Sequence, residues 1–136
     1  MNLGEREVRE LWRRAEDSLS AAEKLVADGY ADIAASRAYY AAFHAASALL
    51  LSKEGVTYTK HSAVLAHLHK EYIKTGRLPR DVGRIVNALY DIRHIGDYGG
   101  PAHVQSEQAE QAIEDARRAM CAMGAFLGTA ISGEGS

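Results

Sequence analysis

Apolar residues recur every three or four positions early in the chain, at Val8, Leu11, Trp12, Ala15, Leu19, Ala22, Leu25 and Val26, with charged residues between them. That spacing puts the apolar side chains on one face of an α-helix. Gly29 marks the end, because glycine accepts the left-handed backbone that often closes a helix. The next segment, Ile33 to Lys53, is apolar on nearly every side, with Ala-Tyr-Tyr-Ala-Ala-Phe at 38–43 and Leu49, Leu50 and Leu51 further on. A helix of that kind is surrounded by others, so it is predicted to be central, with Asp32 as its candidate cap. Val64, Leu65, Leu68, Tyr72 and Ile73 predict a third helix, with Thr59 as cap and Gly76 as its break. Pro79 opens a fourth, carrying Val82, Ile85, Val86, Leu89 and Ile92 and ending in the glycine-rich stretch 96–101. Ser106 is the candidate cap of a fifth, whose buried stripe is Ala109, Ile113, Ala116, Met120, Met123 and Leu127.

No segment alternates with the period of a strand, and every connection is short enough to join antiparallel neighbours. The fold class is therefore all-α, an up-and-down bundle of about five helices. Nothing repeats at a fixed period, which excludes a solenoid. At 136 residues with 47% hydrophobic content the chain suits one domain, assigned to 1–128, with 129–136 as a disordered tail. The breadth of apolar surface on the second helix and the Met-rich stripe of the fifth predict a homodimer.

Charge narrows the chemistry. The net charge is −2 and the pI near 6.3, so phosphate binding spread over the whole surface is excluded and any such contact must be local. Both ends are acidic, whereas residues 55–103 carry seven Lys/Arg against four Asp/Glu and five of the six histidines. No segment has the length or apolarity of a membrane span, and the start lacks a signal peptide's apolar core, so a cytoplasmic location is expected. Cys121 is single and is read as a small buried residue among Met120, Met123 and Phe126.

Two places stand out as polar sites. Arg37 is the one charged residue between Ile33 and Ser52, and Arg37, Tyr40 and His44 follow one another at i, i+3 and i+7 on one helix face. The run Asp91-Ile-Arg-His-Ile-Gly-Asp-Tyr-Gly-Gly carries Arg93 and Asp97 four apart, the spacing of a helical ion pair. Two arginines beside apolar stripes need acceptors, and Asp97 is the nearest carboxylate available to both. Arg93, Asp97 and Tyr98 are therefore expected beside Arg37, Tyr40 and His44 in one pocket. A metal site is not expected: helical bundles hold metal pairs through Glu-x-x-His motifs, and the nearest approach is Asp91-x-x-His94, once.

The run Ser-Arg-Ala-Tyr-Tyr-Ala-Ala-Phe-His-Ala-Ala at 36–46, Lys60-His61, and Arg93 followed by Asp97-Tyr98 together resemble the HEPN superfamily of small helical proteins. The resemblance implies a dimerising helical bundle of the kind found beside a minimal nucleotidyltransferase in toxin–antitoxin pairs, or acting on RNA as a metal-independent ribonuclease without cofactor. It makes Arg93, Asp97 and Tyr98 the catalytic candidates and Arg37, Tyr40, His44 and His94 the binding candidates. Ribonuclease members carry Arg, four to six residues, then His; here those places hold Tyr98, Gly99 and Gly100, with His94 too early and His103 too late. Cleavage without metal needs a proton acceptor near neutral pKa and a cation at the phosphate. Arg93 supplies the cation, and His94, His103 or His44 are the candidates for the acceptor. The readings left open are an RNA-directed toxin, a non-catalytic module binding RNA, a nucleotide or a nucleotidyltransferase, and a plain scaffold.

Overall fold

The computed structural model describes residues 3–131. Among the described residues there are five α-helices: α1 Leu3–Ala27, α2 Ala31–Glu54, α3 His61–Leu68, α4 Arg80–Tyr98 and α5 Ser106–Leu127. A single π turn, His69–Ile73, extends α3, and a 3-10 turn, Gly128–Ile131, follows α5. The described residues contain no strand. The all-α bundle is the fold that the periodicity predicts.

α2 is the axis, packed against α1, α3, α4 and α5. Its alanines explain how: Ala34, Ala38, Ala41, Ala42, Ala45 and Ala48 line one broad face of the helix and all are buried. Short side chains along that face let neighbouring helices approach closely, while Tyr39, Leu49 and Leu50 fill the larger gaps. Val86 and Leu89 of α4 join the same core, as do Met120 and Met123 of α5. The Met-rich stripe and most of the apolar surface of α2 are thus internal, Ile33 at its start being exposed, so most of the surface read as a dimer face is taken up by the chain's own packing. Cys121, next to Met120 on the helix, faces outward and is exposed rather than buried.

Helix ends follow the glycines but not the expected caps. Gly29, at φ 90°, turns the chain from α1 into α2, and Gly55, at φ 68°, closes α2 with its N–H donating to Leu51 O. Asp32 lies inside the first turn of α2 and does not cap it. Its carboxylate instead accepts the Val104 N–H at 2.7 Å and pairs with His103 Nδ1 at 2.7 Å, pinning the loop before α5. Lys60, not Thr59, is the residue before α3, and its side chain makes no capping bond. Gln105 rather than Ser106 caps α5, through a reciprocal pair with Gln108. Position 128 opens the 3-10 turn, whose Ile131 packs on the core, and residues 132–136 of the expected tail lie outside the described residues. Among the described residues no helix is long and apolar enough to cross a membrane.

Candidate functional site

The site forms where the end of α4 crosses the first half of α2. Gly96 permits that crossing: a Cβ there would stand 2.5 Å from the Asp32 carbonyl oxygen, so only a residue without one lets the two backbones meet. One turn earlier, Arg93 is laid over the aromatic run of α2. Its side chain is 12% exposed, and its guanidinium carbon lies 5.3 to 5.9 Å from the ring centroids of Tyr39, Tyr40, Tyr90 and Tyr98. Nε donates to Asp97 Oδ2 at 3.1 Å, and Ser36 Oγ donates to the same oxygen at 3.5 Å. Ring faces and a carboxylate replace the water a buried cation loses. Burial works against the Arg93 charge, but Tyr40, Asp97 and Tyr39 outweigh it and hold the guanidinium pKa above its usual value.

Arg37 approaches the same group from α2, with its guanidinium carbon 4.6 Å from the Tyr40 centroid. The two arginines therefore flank one ring, and Arg37, Tyr40, Arg93, Asp97 and Tyr98 come together as one constellation. The acceptor is not shared as expected. Asp97 folds back along its own helix to Arg93, and Arg37 forms no ion pair with a carboxylate among the described residues. Its half-buried guanidinium rests on the ring instead.

The histidines separate. His44 continues the stripe, its ring 6.0 Å from Tyr40, and also borders a cavity of about 190 Å³ walled by Leu11, Phe43, Leu50, Val56 and Val64. Burial lowers its pKa, and Arg14, Arg37 and His61 add to the effect. His94 is exposed with its ring 5.2 Å from Tyr98. His103 pairs through Nδ1 with Asp32, and no ring contact ties it to the tyrosines around Arg93 among the described residues.

His61 was not among the residues expected here. From the start of α3 it places its ring 4.1 Å from Phe43, 5.5 Å from Tyr40 and 5.8 Å from Tyr39, with Nδ1 3.2 Å from the Tyr39 hydroxyl. Burial lowers its pKa, and the Arg93 charge lowers it further. Tyr39 and Tyr90 were missed as well. Tyr39 is 1% exposed, and burial pushes its phenol up to about 12 against the pull of Arg93. Neighbours on a helix point about 100° apart, so the i, i+3, i+7 stripe admits Tyr40 and not Tyr39. Arg93 contacts both rings, a relation that only the crossing of α4 over α2 creates.

Beside the site lies an exposed face, with Tyr30 and Ile33 at the start of α2 and Tyr90, Ile95 and Tyr98 on α4. Tyr98 is the most open of these, at 65%. Among the described residues no group of three or more His, Cys, Asp or Glu is placed to hold a metal ion.

A family model described as HEPN domain matches residues 8–125. The chain belongs to the HEPN family. A Thermotoga maritima chain named "UPF0332 protein" is 38% identical to this HEPN chain over 108 residues, covering 79% of it and 81% of the relative. "Putative toxin MJ0142" of Methanocaldococcus jannaschii is 40% identical over 105 residues, covering 77% and 71%. The solved structure titled "Crystal Structure of ST0689, an archaeal HEPN homologue" superposes with a TM-score of 0.72 at 21% identity, covering 90% of this chain and 98% of the other. At that identity the likeness carries the fold alone.

Proposed function

We propose that this HEPN protein is the toxin half of an RNA-directed toxin–antitoxin or defence pair, and that it cleaves RNA without a metal ion as a homodimer with Arg93 of each copy facing a shared cleft. The reading rests on one observation: two guanidinium groups flank the Tyr40 ring, and Arg37 has no carboxylate partner among the described residues. A cation without a paired carboxylate beside a second one suits a phosphate, whose charge and oxygens match the planar donors of arginine. The open rings of Tyr90 and Tyr98 supply faces on which unpaired bases can stack. The toxin name of the Methanocaldococcus jannaschii relative supports the setting.

Cleavage would use the RNA's own 2′-hydroxyl as nucleophile, with Arg93 and Arg37 stabilising the charge that builds on the phosphate oxygens. Induced expression of wild type should arrest growth, and the purified chain should cleave single-stranded RNA in EDTA. Arg37→Ala removes a charge without breaking an ion pair, and Arg93→Lys keeps a charge but loses the planar fork. Both should lose toxicity and cleavage while circular dichroism reports a folded bundle. Wild-type toxicity in both folded variants would overturn the site.

A second reading has one observation in its favour: the positions five to seven residues beyond Arg93 hold Tyr98, Gly99 and Gly100 instead of His. On that reading the pocket binds RNA, a nucleotide or a nucleotidyltransferase partner without chemistry. RNA retention with intact substrate would decide for it.

A further inference from the structure

We propose that His61 takes the proton from the RNA 2′-hydroxyl, supplying from α3 the base that the spacing after Arg93 lacks. The inference rests on the RNA-cleavage reading above. Its ground is geometry. His61 and the Arg93 guanidinium each lie within 6 Å of the same two rings, those of Tyr39 and Tyr40, so cation and imidazole reach one place from two helices.

The other histidines are placed differently. His67 lies between Glu54 and Tyr58, His69 bonds Asn87, and His103 pairs with Asp32, and among the described residues none of the three has a ring contact with the tyrosines around Arg93. Of the rings around Arg93, His94 meets Tyr98 and His44 meets Tyr40 while also bordering the apolar cavity, whereas His61 meets both Tyr39 and Tyr40. His61 is also oriented. Tyr39 is held in the core, and its hydroxyl lies 3.2 Å from Nδ1. The tautomer with Nδ1–H donating to that oxygen leaves the Nε2 lone pair to accept a proton, and Nε2 has no protein partner among the described residues.

The step balances without a metal. Nε2 takes the 2′-proton, the 2′-oxygen forms a bond to phosphorus, and the bond from phosphorus to the 5′-oxygen breaks. The departing 5′-oxygen takes a proton from water, and His61 returns its own to solvent. The products are a 2′,3′-cyclic phosphate and a 5′-hydroxyl. The titratable and charged groups facing His61 are Tyr39, Tyr40 and His44 of α2, Arg93 of α4, and Lys60 just before it in the chain. None is a carboxylate, so nothing there holds the proton once it is taken.

The test uses the full chain and a fluorescent single-stranded oligoribonucleotide in EDTA, across pH 5 to 9. Wild-type kcat/KM, which reports the free protein, should rise through an acid limb whose midpoint lies below 6.5, the ordinary histidine value, because burial and Arg93 depress it. His61→Ala should lose about 100-fold or more in kcat, with KM nearly unchanged, and should lose the acid limb. Free imidazole should restore part of the rate, which a purely structural role would not allow. Should His61→Ala fail to fold, Tyr39→Phe decides: it keeps the ring and removes the hydroxyl, and it should lower kcat while moving the acid limb. An unchanged limb in His61→Ala, or in Tyr39→Phe where that variant decides, overturns the base assignment while leaving RNA cleavage standing, as does loss of the limb in His44→Ala alone. A wild type that binds RNA and never cuts it overturns both.

Discussion

The Arg93 guanidinium is held by four rings, yet among the described residues only one carboxylate pairs with it, and that carboxylate is more open to solvent than the arginine. Asp97 therefore weakens the positive field at the site while fixing the direction of Nε. Asp97→Asn keeps an oxygen to accept that hydrogen bond and removes the charge. It should cost about 1 kcal/mol of stability or less, tighten RNA binding, and steepen its salt dependence. Anisotropy titrations at two salt concentrations check this; weaker binding would mean that Asp97 contributes by orientation alone. Asp32 makes a different prediction. Its pKa is lowered by the hydrogen bond to His103, then by that from Val104 N–H, so its contribution is complete above about 3.8 and is lost as pH falls through the lower folded value. Asp32→Ala leaves the N–H of buried Val104 without its acceptor and should cost about 1–2 kcal/mol at pH 7. That corresponds to a melting point lower by roughly 3–8 °C, and the difference from wild type should shrink at pH 3.

At the scale of the helices, the contact between α2 and α4 decides where the chemistry falls. Replacing glycine by alanine inside an exposed helix would stabilise it by about 1 kcal/mol. At Gly96 the sign reverses, because the new methyl would overlap the Asp32 carbonyl and that backbone cannot rotate away. Gly96→Ala should lower the melting point and move Arg93 off the Tyr39 and Tyr40 rings, reducing activity more than stability. Thermal melts and tyrosine fluorescence check both parts; a stabilised, fully active variant would show that the helices part freely. Helix existence and order were legible because apolar positions at 3.6-residue spacing leave few other ways to bury them. The caps were less so. Asp32, Thr59 and Ser106 all suit a cap chemically, but Asp32 finds a stronger use across the fold, and Gln105 with Gln108 satisfies the start of α5.

For the molecule as a whole, the dimer expected from the sequence needs a different face. The stripes of α2 and α5 are spent on the core, and what remains open beside the site is Tyr30, Ile33, Ile95 and Tyr98. Light scattering should give about twice 14.8 kDa. Ile33→Lys combined with Ile95→Lys should give monomers that stay folded and lose cleavage. A wild type that runs as a monomer at tens of micromolar would remove the shared cleft.

The order of the helices, the central place of α2 and the candidacy of Arg37, Tyr40, Arg93, Asp97 and Tyr98 were all present in the sequence by itself. The helix order, the place of α2 and the stripe of Arg37 and Tyr40 rest on local periodicity and short spacings within one helix, where residue number maps directly onto direction, while Arg93, Asp97 and Tyr98 became catalytic candidates through the resemblance to the HEPN superfamily. Only the tertiary structure decided that Tyr39 and His61 join Arg93, that Arg37 has a ring and not Asp97 as its neighbour, and that His103 is taken by Asp32. Those relations depend on the distance and angle between helices. Here a missing Cβ at Gly96 and the alanines of α2 set them, and no spacing along one strand of sequence records where two helices touch.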